Sequence, residues 1–223
     1  MRFVYPDIEH VFETGGEAVP TLVLENAALL QALLTDVTGQ IAGDAGRAVL
    51  SQGDKILGFD KHAELLDRFV PFEINRRSLL TKAASILEKT AVAGEHYLRT
   101  VSLLGEMQRF LQDLAFESLP GEACFSKLEI GALIKAAGLE FLAEHTSLCE
   151  QLLDYFELVT ALERPKLFIT LNLRALLNDT EAELFLDSVL LHKYNVCMIE
   201  VMDLPRLSRE SRLVVDRDLC LIS

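Results

Sequence analysis

Short apolar runs alternate along this chain with segments whose apolar residues recur every three or four positions. The clearest case lies between Arg164 and Glu200. Leu167-Phe168-Ile169-Thr170-Leu171-Asn172, entered from Pro165, predicts a strand buried on both faces. Asp179 or Thr180 is placed to cap a following helix, with Leu184, Phe185, Ser188 and Leu191 spaced for its buried side. Tyr194 to Glu200 predicts a second buried strand. Strand, helix and strand in about 35 residues form a βαβ unit and therefore a parallel sheet with a right-handed crossover.

The same patterning organises the rest. Arg2 to Tyr5 and His10 to Glu13 predict an opening hairpin, and Thr21 to Leu24 a strand followed by a helix capped at Glu25-Asn26 and running to about Ile41. That helix should bury Leu29, Leu30, Leu33, Leu34 and Val37. Arg47 to Phe59, turning at Gly53-Asp54, predicts another hairpin. An extended linker from Phe69 to Ile74 then leads into a purely helical stretch. Asn75 should cap a helix to about Ala91, and a second reaches about Glu117 with Val101, Leu104, Met107, Leu111 and Leu114 inward. A third, Leu128 to Ala137, stops at Gly138. Leu139 to Leu142 returns to extended structure, and Thr146 or Ser147 begins a helix to about Leu162 that buries Leu148, Leu152, Tyr155, Phe156 and Val159. Leu213 to Val215 and Leu219 to Ile222 close the chain as edge strands or a final extended segment. The predicted organisation is an α/β head in two parts, residues 1–72 and 139–223, with an α-helical domain, residues 73–138, inserted between them.

Composition narrows the function. With 223 residues, half of them hydrophobic, the chain can bury a large core. No run approaches the 18 or so apolar residues of a membrane span and Met1-Arg2-Phe3 opens no signal peptide, so a cytoplasmic location is expected. Cys124, Cys149, Cys197 and Cys220 are far apart in apolar surroundings and are expected to be buried thiols. Positive mean hydropathy without tryptophan hints at apolar surface left for subunit contacts. The net charge of −13 argues against a general nucleic-acid binder, but the charge is uneven. Glu140 to Glu163 holds six acids and no base, while Asn75 to Arg99 holds Arg76, Arg77, Lys82, Lys89 and Arg99 against Glu88 and Glu95. A second basic cluster is Arg206, Arg209, Arg212 and Arg217. Either cluster can be a solvated face.

Enzyme motifs are missing. Neither GxxxxGK[ST] nor GxGxxG occurs, and Gly15-Gly16 precedes its strand instead of following it. His10, His62, His96, His145 and His192 have no metal-ligand spacing and no nucleophile beside them. Acids gather toward the far end of the helical stretch, at Glu106, Asp113, Glu117, Glu122 and Glu129, with Asp113 and Glu117 on one helix face. Oxygen ligands suit Ca²⁺, although no DxDxDG loop is present.

Taken in order, these pieces resemble the Csn-two family of CRISPR-associated proteins of subtype II-A systems. The resemblance is carried by Leu22-Val23-Leu24-Glu25-Asn26, by Ile56-Leu57-Gly58-Phe59-Asp60, by Leu167, Phe168, Asn172, Leu173 and Ala175-Leu176-Leu177, by Val196 to Glu200, and by Asp216-Arg217-Asp218-Leu219. It implies a head related to P-loop NTPases without a Walker A motif, carrying an inserted α-helical leg. It also implies no catalysis: a homotetrameric ring with calcium at the head and leg joints, threaded onto free ends of double-stranded DNA without sequence preference. Such a ring acts in spacer acquisition, in antiviral defence, beside the effector nuclease and the integrase of the same locus. The expected residues are Arg76, Arg77, Lys82 and Lys89 against phosphates and Asp113, Glu117 and Glu122 for metal. The stretch Pro120 to Lys127 is thinner in acids than the family's corresponding segment. Two readings from other classes stay beside this one: a degenerate α/β nucleotide hydrolase that kept a small-molecule pocket, and an adaptor that binds only proteins.

Overall fold

The computed structural model describes residues 1–142 and 147–222. From the start of the chain it forms β1 (Arg2–Val4), β2 (Val11–Glu13), β3 (Val19–Leu24), α1 (Ala27–Ala42), β4 (Val49–Gln52), β5 (Lys55–Leu57), a short helix α2 (Phe59–His62) and β6 (Ala63–Leu66). Three helices follow, α3 (Arg77–Ala91), α4 (Tyr97–Ser118) and α5 (Ile130–Ala136). The chain then resumes with α6 (Leu148–Leu162), β7 (Leu167–Leu171), α7 (Asp179–Leu191), β8 (Asn195–Glu200), β9 (Glu210–Val215) and β10 (Leu221–Ile222). Contacts divide it into two compact units, Met1–Glu73 with Ala143–Ser223, and Ile74–Leu142.

The first unit is built on a six-stranded sheet in the order β10-β9-β3-β8-β7-β6, parallel throughout except for β10. Every residue of β3 is buried, as a strand covered on both faces requires. Pro20 lies inside it, although a proline cannot donate to a ladder. Its neighbours explain this: β9 pairs from Val19, but β8 pairs only from Thr21, so Pro20 sits where one flank is open. One face of the sheet, with Leu22, Leu24, Leu167, Ile169, Cys197, Ile199, Leu213 and Val215, packs with Leu29, Leu33 and Val37 of α1. The same core takes in Phe3, Phe12 and Leu50 from a separate antiparallel sheet ordered β2-β1-β4-β5, so the two predicted hairpins join through β1 and β4. Across the opposite face, Phe168 stacks on Phe156 of α6 with ring centroids 4.1 Å apart, and Phe156 meets Phe185 of α7 at 6.2 Å.

Local chemistry sets the ends. Asn26 caps α1 by accepting from the Leu29 N–H at 2.9 Å, and Gly43 closes it with φ 103°. Asp36 on α1 then fastens the chain into β4, accepting from the backbone N–H groups of Arg47 at 2.9 Å and Ala48 at 2.7 Å and from Gln40 Nε2 at 3.1 Å. Gly46 is required there, because a Cβ would stand 2.4 Å from the Asp36 carboxylate. Asp36→Ala should therefore cost about 1–3 kcal/mol, the range for stranding partly buried donors, and lower the midpoint of a urea melt correspondingly. An unchanged midpoint would show that water replaces the carboxylate without loss.

Several expectations are corrected. The cap of α7 is Asn178, not Asp179 or Thr180, and it forms a reciprocal box with Glu181. The buried side of α7 is accordingly Ala182, Phe185, Leu186 and Val189, while Leu184 and Leu191 are 61% and 77% exposed. The seven apolar residues among its thirteen are spread around the axis, with Leu184 and Leu191 opposite Ala182, so spacing alone could not choose its face. Asn75 does not cap α3; its side chain clasps the Phe141 backbone, accepting from N–H at 2.7 Å and donating to C=O at 3.0 Å. β6 is absent from the sequence reading because Ala-Glu-Leu-Leu carries no strand signal and becomes one only by pairing with β7. β9 is interior, not an edge, lying between β3 and β10. Leu139 to Leu142 belongs to no strand. Cys149 and Cys197 are buried, and burial pushes their thiols up to about 11 and about 12, but Cys124 and Cys220 are exposed. Thr146 and His145 lie outside the described residues.

Candidate nucleic-acid interface

The helical unit Ile74–Leu142 carries eight basic and eight acidic residues. The rest of the chain therefore holds twenty-six acids against thirteen bases, and all of the net negative charge. A polyanion would meet strong repulsion from the first unit and none on average from the second. Within the helical unit the positive residues concentrate at α3. That helix buries Leu79 and Ala83 and packs with α5. Arg77, Lys82 and Lys89 are exposed, and Arg76, at the non-helical cap position, is partly buried. Lys82 and Lys89 are seven residues apart, about two turns and roughly 10 Å along one side of the helix. Arg77, five residues before Lys82, points about 140° away from it around the axis. The four expected residues thus split into an aligned pair, Lys82 with Lys89, and two others at the start of α3.

α4 behaves differently. Of its 22 residues only Ala115 is buried. Leu104 and Leu111 are partly buried, whereas Val101, Met107 and Leu114, expected to face inward, are exposed. Leu103, Met107, Phe110 and Leu114 follow one another at steps of four, three and four and are all exposed, Phe110 at 61%. This is the spacing of a helix that meets another helix.

Asp113, Glu117 and Glu122 are exposed. Gln112 Nε2 donates to the Ala123 carbonyl at 2.6 Å, holding the loop that carries Glu122 against α4. Among the described residues, no three His, Cys, Asp or Glu side chains converge as a metal site. The three acids do not by themselves compose a calcium site within this chain. The second basic cluster is largely consumed by acids: Arg209 pairs with Asp187 at 3.4 Å, and Arg212 with Asp203 at 2.6 Å and Glu210 at 2.8 Å.

The carboxyl end of the parallel sheet holds a constellation that the sequence reading did not single out. Glu200, the last residue of β8, is 4% exposed and accepts from the Arg174 backbone N–H at 3.2 Å. Burial pushes its carboxyl up to about 7, with the like charge of Glu210 adding and the Arg174 N–H and guanidinium opposing. Arg174 lies in a single 3-10 turn, Leu173–Leu176, and donates through Nη2 to Asp179 at 3.1 Å and the Pro205 carbonyl at 3.5 Å. Its Nε and Nη1 are buried without a partner among the described residues. Asn172, at φ 56°, clips this elbow to β8 by accepting from the Val201 N–H at 3.1 Å. The available signal was an acid closing an apolar strand, and an arginine set in Leu-Asn-Leu-Arg-Ala-Leu-Leu. The strand-to-helix turn between β3 and α1, where an anion would sit, is closed by the Asn26 cap and preceded by Glu25.

A mostly parallel α/β unit interrupted in sequence by an all-helical unit defines the class of protein. The profile of the CRISPR-associated protein (Cas_Csn2) family matches residues 40–219, and the chain belongs to that family. No curated sequence matches it. Among solved structures, the crystal structure of Stu0660 of Streptococcus thermophilus is similar with a TM-score of 0.52 at 13% identity, over 91% of this chain and 69% of that one. At this identity the likeness is one of fold.

Proposed function

We propose that the protein is a non-catalytic ring that binds double-stranded DNA ends and takes part in new spacer acquisition in type II-A CRISPR adaptive immunity. The observation that carries the reading is the charge partition. In a family of CRISPR-associated proteins, this acidic chain has one electrically neutral unit, and that unit presents Lys82 and Lys89 on a shared helix side. Contacts of this kind reach phosphates and not base edges, so binding is independent of sequence and falls steeply with salt. The exposed apolar series Leu103-Met107-Phe110-Leu114 supports self-association, here taken as a homotetramer. A P-loop-NTPase-like ancestry for the head is supported by a parallel strand, β3, leading directly into α1. The Asn26 cap and Glu25 at that turn, in place of glycines and a lysine, support a head that no longer holds phosphate. The effector nuclease and integrase of the same locus are the proposed protein partners, in the cytoplasm.

The test is retention of linear and covalently closed circular duplex of the same sequence, at rising salt. The linear form should be held at 50 mM salt and largely released by 200 mM, while the closed circle is not held. Equal retention of both forms would overturn the ring, and retention of neither would favour an adaptor that binds only proteins.

A further inference from the structure

Helix α4 has two apolar sides. Leu104, Gln108, Leu111 and Ala115, at steps of four, three and four, are partly or fully buried. One residue earlier, about 100° round the axis, Leu103, Met107, Phe110 and Leu114 repeat the same steps and are between 42% and 61% exposed. A helix on the surface of a finished fold ordinarily turns polar residues to water, so this second side is left over once the chain has folded.

The residues at the ends of that side decide what fits it. Continuing the steps by three in each direction reaches Thr100 and Glu117, and the whole series, three, four, three, four, three, reads the same from either end. Laid antiparallel against a second copy of itself, α4 therefore sets Leu103 opposite Leu114, Met107 opposite Phe110, and Thr100 opposite Glu117. Arg99, one residue before Thr100, then comes within reach of Glu117 at both ends of the seam, and both side chains are exposed. A parallel pair would instead set Glu117 against itself. Charge thus selects the antiparallel arrangement. Glu106 and Asp113 approach one another along one flank of it, and Arg109, one turn from each on its own helix, offsets them.

We propose that α4 pairs antiparallel with α4 of a second copy of this chain, in the register that places Met107 against Phe110. The contact is isologous, the same patch serving on both copies, so it joins two chains and closes on itself. This pairing rests on the self-association in the ring reading and supplies one of the contacts a ring needs.

Cysteine cross-linking without DNA reads the register, in a background with the two exposed thiols removed by Cys124→Ser and Cys220→Ser. Leu103→Cys mixed with Leu114→Cys should form a disulfide between the two variants. Neither should form one alone, because in this register like positions lie 11 residues, roughly 16 Å, apart along the pair. Phe110→Glu places two carboxylates in each seam and should raise the dissociation constant at least about 100-fold by light scattering, while its urea midpoint stays native because the position is exposed. A disulfide within Leu103→Cys alone, no disulfide in the mixture, or a native assembly untouched by Phe110→Glu would each overturn this pairing and leave the ring standing on other contacts. Native protein with the mass of one chain would remove both. Equal retention of linear and closed circular duplex by a protein that does form the mixed disulfide would remove the ring alone.

Discussion

Glu200→Gln should abolish a loss of stability that the native chain suffers as pH rises from about 4.5 to about 7. Glu200 has its folded-state proton affinity raised, by burial first, from an ordinary value of 4.5 to about 7. Between these values the unfolded chain has released the proton and the folded chain retains it, so folding takes up a proton and stability falls as pH rises. The contribution is fully present below about 4.5, lost progressively up to about 7, and constant above. Two and a half decades of proton affinity, at about 1.4 kcal/mol each, amount to about 3 kcal/mol. Glutamine keeps an oxygen for the Arg174 N–H and cannot ionise. The variant should match the native protein near pH 4.5 and exceed it by about 2–3 kcal/mol at pH 8. Urea melts of both proteins at pH 4.5, 6 and 8 decide the matter, and parallel stability curves would show that Glu200 is not held protonated.

How a carboxyl comes to lie there bears on what a sequence can reveal. The βαβ unit around it was legible because β7 and β8 are continuous apolar runs, and strands covered on both faces leave that trace. The first helix was legible through Asn26, whose cap fixes both its start and the register that buries Leu29, Leu33 and Val37. In α7 the same logic failed by one residue: Asn178, Asp179 and Thr180 are all competent caps, and only the reciprocal bonds between Asn178 and Glu181 choose between them. The Asn75 clasp on Phe141 could not be foreseen either, since it joins residues 66 apart. For the interface, residue type and spacing were enough to nominate α3. Which of its cations are left exposed, and how few neighbours α4 has, depend on tertiary packing. The constellation of Arg174, Asp179 and Glu200 was invisible for the same reason: the segments that follow β7 and end β8 meet at one sheet end, and neither carries a motif.

Reversing the charge of the aligned pair, Lys82→Glu with Lys89→Glu, should reduce affinity for linear duplex by at least about ten-fold at 0.1 M salt. The logarithmic salt slope should become shallower by about two for each chain that touches the duplex. Both side chains are exposed, so the unfolding free energy from urea melts should change by less than about 0.5 kcal/mol, which separates a binding defect from unfolding. The double change also gives the helical unit a net charge of −4, extending to it the repulsion that the rest of the chain exerts on a polyanion. Arg77→Glu alone, at a different angle on the same helix, distinguishes an oriented contact from bulk charge. If orientation matters, it should cost much less than half of the effect of the pair. A variant that loses both lysines yet binds linear duplex with the native affinity and salt slope would place the duplex elsewhere and remove α3 from the interface.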